Sequence, residues 1–231
     1  MKQKEILLNT QLIKEFSLEE TSDEPPIETG AKTPLREDAF EMDDNLKIEL
    51  ISKHFKEIMH ILGLDLTDDS LKGTPTRVAK MYVKEIFSGL NPVNKPKAKL
   101  FDNKFQYNEM LIEKDITFYS NCEHHFVPIY GKAHVAYVSS GKVIGLSKIN
   151  RIVQYFARRP QVQERLTIQI ANELKEALKT EDVAVVLDAN HLCVSSRGVN
   201  DYNSSTITTN YSGKFQQEKV KQEFLRLLAL K

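Results

Sequence analysis

"LIEKDITFYSNCEHHFVPIYGKAHVAYV", residues 111–138, decides the fold. Two runs rich in Ile, Val, Phe and Tyr stand on either side of a short polar stretch, so strands are expected around 111–119 and 124–138. A third strand reads at 182–194, and "STITTNYSG", residues 205–213, is a further β-rich stretch. Two helices lie between the later strands, "SKINRIVQYFARR" (147–159) and "QVQERLTIQIANELKEALK" (161–179). "QQEKVKQEFLRLLAL" (216–230) closes the chain as an amphipathic helix. Upstream, "LKIELISKHFKEIMHILGL" (46–64) places Ile48, Ile51, Phe55, Ile58, Met59 and Leu62 on one helical face, with Gly63 as its stop. "GTPTRVAKMYVKEIFSGL" (73–90) opens with a Thr-Pro start and closes at Gly89, which makes a second helix. Helices, strands, two helices, strands and a helix in that order define an α+β chain. Its sheet is largely antiparallel, with helices on one face and a helical region at the N-terminal side.

A length of 231 residues suffices for one sizeable domain with an appendage, or for two small domains. Hydrophobic residues make up 41 % and charged residues 28 %, the balance of an ordinary soluble globular protein. No apolar run approaches the roughly 18 residues that a membrane span needs. "MKQKEILLNTQLIKEF" is amphipathic and broken by charges, a poor secretory signal. A cytoplasmic protein is expected, and there two cysteines are thiols or metal ligands rather than a disulfide. Net charge is zero but unevenly spread: residues 1–45 carry 12 acids and 5 bases, the remainder 20 acids and 27 bases. A neutral whole argues against a dedicated nucleic-acid binder. The mildly basic body fits a small anionic substrate, and fits scattered solvated lysines equally well. "TSDEPPIETGAKTPLRED" marks residues 1–45 as a flexible acidic arm, with a short helix at its start. A catalytic domain would then occupy 46–231, with helices over about 46–90 and the sheet core over about 95–231.

The polar stretch between the first two strands carries the chemistry. Cys122 and His125 are spaced so that both side chains can reach one ion from a turn. "NHLCV" supplies His191 and Cys193, two apart in what reads as a strand and therefore on one face. Cys122, His125 and Cys193 make three protein ligands; three plus water is the catalytic zinc pattern, four the structural one. No third cysteine exists to close the shell. His124 or His191 could close it, which leaves a structural site open as an alternative. In the catalytic reading both histidines are free to move protons near neutrality. His134 alternates on a strand and His54 and His60 lie on a helix of surface character, so none of these three is a site candidate.

Cations recur where a helix dipole opposes them. Ser147 reads as an N-cap followed by Lys148 and Arg151; Thr74 reads as another, followed by Arg77 and Lys80. A cation in a first turn costs about 0.3–1 kcal/mol at the surface, so two such starts suggest a compensating phosphate. Side chains reaching away into solvent would satisfy the same pattern. Arg197, four residues past Cys193, brings a cation close to the metal ligands. Glu164, early in its helix, is favoured there by the dipole alone, and on that ground reads as a surface residue.

Four separated motifs in order, "GTPTRVAKMYVKEIFSGL", "CEHHFVPIYGKAHVAY", "IGLSKINRIVQYFARRPQVQERLT" and "HLCVSSRG", resemble those of the GTP cyclohydrolase I family. The likeness runs from about residue 46 to the C-terminus and leaves the arm uncovered. It implies a tunnelling fold assembled as a homodecamer, and conversion of GTP and water to 7,8-dihydroneopterin triphosphate and formate. It implies one zinc ion per subunit on Cys122, His125 and Cys193, with His124 and His191 as catalytic histidines. Ser147, Lys148, Arg151 and Arg197 match the triphosphate-binding set, with Arg77 and Lys80 reaching in from a neighbouring subunit. Glu164, with Gln163 beside it, matches the guanine reader, which overrides the surface reading of Glu164. Another purine or pterin enzyme of the same fold, or a non-catalytic zinc module that binds a nucleotide, would share part of this pattern.

Overall fold

The computed structural model describes residues 32–230. Residues 1–31, which include the helix expected at the start of the arm, and Lys231 lie outside the described residues. Helix α1 (Asp44–Ile61) is capped by Asp43, whose Oδ1 accepts from the amides of Asn45 (2.7 Å) and Leu46 (2.9 Å). It ends at Gly63, whose φ of 80° is open to glycine at no steric cost. Of the apolar face read from the sequence, Met59 is buried, while Ile58 and Leu62 stay 49 % and 70 % exposed. Helix α2 (Thr74–Met81) passes into a π-helical turn (Tyr82–Ile86) and stops near Gly89. Gly89 is there for space: a Cβ would stand 2.0 Å from the Tyr155 carbonyl oxygen, and its amide donates to the Arg158 carbonyl at 2.9 Å.

Strand β1 (Leu100–Asp102) pairs antiparallel with β4 (Lys142–Ile144) as a two-stranded ribbon. The main sheet contains β2 (Met110–Cys122), β3 (Pro128–Val138), β5 (Pro160–Gln161), β6 (Val183–His191) and β7 (Thr206–Tyr211), in the order β5-β2-β3-β6-β7. All its pairings are antiparallel except β2 with β5, where Asn121 and Cys122 face Pro160 and Gln161. A bulge between Glu113 and Ile116 shifts the β2–β3 register. Asp115 takes φ 60° within it, and its amide donates to Nδ1 of His134 at 3.2 Å.

Strand alternation sorts the side chains into two cores. Phe118, Val135, Tyr137, Val185 and Leu187 meet helices α3 (Leu146–Ala157) and α4 (Gln163–Leu178) through Ile149, Ile152, Leu166, Ile170 and Leu174. These two helices share one face, as expected. Ala136, Val138, Ala184 and Val186 point the other way and meet Phe215 and Phe224. The closing helix, here α6 (Glu218–Leu228), therefore covers part of the second face. Between β6 and β7 the chain makes one helical turn, α5 (Leu192–Ser195). No helix among the described residues is long and apolar enough to cross a membrane.

Both helix starts read as capped by a hydroxyl differ from that reading. Helix α3 is capped by Gly145 in an extended conformation and α2 by Gly73, with no side-chain cap bond at either. Ser147 thus sits inside the first turn, exposed, and Thr74 is the first helical residue. Cys193 is likewise not in a strand. The backbone of β6 ends at His191, and Cys193 belongs to α5, so the period-two argument does not apply to it.

Candidate active site

The turn after β2 is tied at several points. The Phe126 amide donates to the Cys122 carbonyl (2.8 Å), the Cys122 amide to the Val127 carbonyl (2.9 Å), and Asn121 Nδ2 to the Phe126 carbonyl (3.2 Å). Phe126 takes φ 55°, unusual for a bulky residue. Its ring is held edge-on against Phe87 (5.2 Å between centroids) and Tyr82 (6.5 Å). The tightened turn brings Cys122 and His125 together, and α5 brings Cys193. The donor atoms of the three lie within 4.8 Å of one another.

Two sulfurs and one imidazole nitrogen form a soft-to-borderline donor set, suited to a metal such as zinc. Both cysteines are free thiols. Burial, and then the neighbouring Cys122 sulfur, push the Cys193 thiol up, since two adjacent thiolates repel. A divalent cation removes that conflict by taking both as thiolates. The residues present therefore fit a metal ion.

The remaining candidates surround this group. His124 Nδ1 lies 3.6 Å from Cys122 Sγ, and its side chain is 64 % exposed. His191 is half-buried, and its Nε2 lies 2.7 Å from Gln163 Oε1. The Gln163 amide nitrogen donates to the carbonyls of Leu187 (3.2 Å) and Thr206 (2.8 Å), which fixes the orientation of the group. Oε1 can only accept, so His191 carries its hydrogen on Nε2 and keeps a lone pair on Nδ1. Burial holds the His191 pKa below its usual value, with Glu164 pulling the other way. Glu164 itself is exposed in the first turn of α4, near enough to His191 to act on its charge. Arg197 Nη1 stands 3.1 Å from His125 Nε2, which puts a guanidinium beside the donor group, as the sequence suggested.

The two basic helix starts have different surroundings. Arg151 of α3 lines a cleft of about 460 Å³ together with Lys84, Arg158, Ser88 and Asn94. Lys148 is half-buried one turn earlier. Arg77 folds back on its own helix start, its Nη2 donating to the Ser70 carbonyl (2.8 Å) and Thr74 Oγ1 (2.7 Å). Lys80 is exposed on α2. Sequence reasoning missed one further pair: Arg165 Nη1 and Nη2 donate to Glu123 Oε2 and Oε1, the second at 3.2 Å. Glu123 stands inside the Cys-Glu-His-His stretch, but its partner is 42 residues away, with nothing local to signal it.

The mostly antiparallel sheet backed by helices carries a three-donor centre where β2 and β6 end, which defines an α+β protein able to hold a metal ion. Residues 51–229 match the model of the GTP cyclohydrolase I family, and the chain belongs to that family. It is 63 % identical over 202 residues to GTP cyclohydrolase 1 of Flavobacterium johnsoniae, covering 87 % of this chain and 91 % of the relative. GTP cyclohydrolase 1 of Citrobacter koseri is 56 % identical over 198 residues, covering 85 % and 89 %. Among solved structures, the apo archaeosine synthase QueF-Like overlaps 45 % of this chain and 93 % of its own, with a TM-score of 0.38 at 16 % identity.

Proposed function

We propose that the chain converts GTP and water to 7,8-dihydroneopterin triphosphate and formate, with one zinc ion per subunit held by Cys122, His125 and Cys193. The observation that carries this reading is the convergence of those three donors within 4.8 Å, beside two histidines outside the donor set, in a member of this family. Zinc held by Cys122, His125 and Cys193 would supply Lewis acidity and make water a nucleophile near neutral pH. His191, kept neutral by burial, offers its Nδ1 lone pair to take up a proton and can return it as the imidazole ring of guanine opens. His124, beside Cys122, is the second histidine available to move protons. Glu164 presents two acceptor oxygens to N1–H and the 2-amino group of guanine, a match that adenine cannot supply. Ser147, Lys148, Arg151 and Arg197 bind the triphosphate. Arg77 and Lys80 complete that set from a neighbouring subunit of a homodecamer.

The same reading makes residues 1–45 an arm and 46–231 the catalytic domain of a cytoplasmic enzyme of pterin synthesis. No nucleic acid or membrane takes part. The test is direct: zinc-loaded protein is incubated with GTP, or with ATP as control, and assayed for formate and for a fluorescent oxidised pterin. Both products from GTP alone are expected. Full metal occupancy without formate overturns the reading in favour of a structural zinc module.

A further inference from the structure

The first turn of α4 offers three consecutive side chains to three different parts of the site. Gln163 holds His191, Glu164 is exposed and close enough to His191 to act on its charge, and Arg165 reaches Glu123 in the turn that carries Cys122, His124 and His125. The Arg165–Glu123 contact is a two-pronged guanidinium–carboxylate pair, the geometry in which such pairs are strongest. It is largely withdrawn from water, with side chains 15 % and 24 % exposed. Glu123 is also anchored through its backbone, its amide donating to the Gln161 carbonyl at 3.0 Å. Its Oε1 stands 4.0 Å from His124 Nε2. The carboxylate therefore lies between a fixed cation and an imidazole that has no other carboxylate beside it in the salt-bridge geometry of the described residues.

We propose that Arg165 is a positioning residue. By gripping Glu123 it sets the shape of the metal-binding turn and the direction of the His124 ring, and so joins the guanine-reading helix to the metal centre. This rests on the function proposed above for His124, but the grip itself does not. Arg165 has no place in substrate binding in this account: both of its terminal nitrogens are engaged by Glu123. Groups that support metal ligands from behind commonly change metal affinity or activity about 10–100-fold when removed.

Three variants test the proposal in the full-length oligomer: Arg165→Met, Glu123→Gln, and the two combined. Glu123→Gln keeps the side-chain shape but leaves the Arg165 cation without its carboxylate, as Arg165→Met leaves the carboxylate without its cation. The double variant leaves neither charge unpaired and so guards against a folding failure of the single ones. Three readouts are taken: zinc release to a chromogenic chelator, the visible spectrum of the cobalt(II)-loaded protein, and kcat and KM with GTP. Each single variant should release zinc about tenfold faster or more and alter the cobalt spectrum. Each should lower kcat about 10–100-fold with KM nearly unchanged. The double variant should be no worse than the worse single one, because both remove the same contact. Wild-type zinc release and cobalt spectrum in both single variants overturn the proposal. So do multiplicative losses in the double variant, or a raised KM at normal kcat, which would make Arg165 a substrate contact. If the parent protein makes no formate from GTP, the functional reading fails, while zinc release and the cobalt spectrum still decide the grip.

Discussion

In the proposed function Cys193, His191 and Glu164 divide the work of the site among metal, proton and base, and each role is separable by substitution. Cys193→Ser removes one of the two soft donors, so metal analysis should find the variant depleted and turnover abolished. Full occupancy with normal turnover would take Cys193 out of the ligand set. His191→Ala should keep its zinc, since His191 lies outside the three-donor group, yet lose formate production. Metal loss in that variant would make His191 a fourth ligand and the site a closed one. Glu164→Gln sets a donor against a donor on guanine and should weaken GTP binding by about 2–4 kcal/mol. An unchanged KM would return Glu164 to a role at the helix dipole. Much of this centre was legible in the sequence. Cys122 and His125 are three apart, and Cys193 was the only other thiol available. The path of Cys193 was not legible, because one helical turn after a strand leaves no periodicity to read. The hold of Gln163 on His191 was hidden as well: the resemblance placed Gln163 only beside the guanine reader, and its partners His191, Leu187 and Thr206 are remote in sequence.

Elements follow their hydrophobic periods more faithfully than their end signals. The strands at 110–122, 128–138 and 183–191 and the helices α1, α3, α4 and α6 were all readable, because alternation and the helical period persist over many residues. The starts of α2 and α3 slipped because glycines take the cap position there, and a nearby hydroxyl is only a local preference. The two-residue strand β5 is too short for any pattern. The β2 bulge has a consequence for acid stability. His134 accepts the Asp115 amide through Nδ1, which a protonated ring cannot do. Burial lowers the His134 pKa, so the unfolded chain takes up this proton first as pH falls. The contribution of His134 is complete above its unfolded pKa of about 6.5 and drains away below it. His134→Gln keeps an acceptor that does not titrate. In chelator-stripped proteins, its urea midpoint should fall less than the parent's between pH 7.5 and 5, by about the ratio one histidine proton allows. Parallel profiles would show that His134 is not a term in acid stability.

At the scale of the molecule, the two basic helix starts pose a question of assembly. Arg77 is turned back on its own helix and Arg151 lines a cleft that Arg77 does not reach; in the proposed function one triphosphate gathers both across a subunit boundary. Arg77→Ala and His191→Ala oligomers should each be nearly inactive. Dissociated, mixed and reassembled, they should regain part of the activity wherever an intact Arg77 meets an intact His191. No recovery, in mixtures shown to hold both chains in one oligomer, would place Arg77 in its own subunit's site or outside the chemistry.

Phe126 ties the halves of the chain together in another way. It belongs to the metal-binding turn, yet the rings that keep it in its left-handed conformation, Tyr82 and Phe87, come from the helical region before the sheet. The sheet with all three donor residues begins after that region, so a cut near residue 95 would spare every ligand and still remove both supports. The sheet core is therefore not an exchangeable module. A chimera that grafts it onto a foreign N-terminal half inherits a competent metal centre only if aromatic rings matching Tyr82 and Phe87 travel with it.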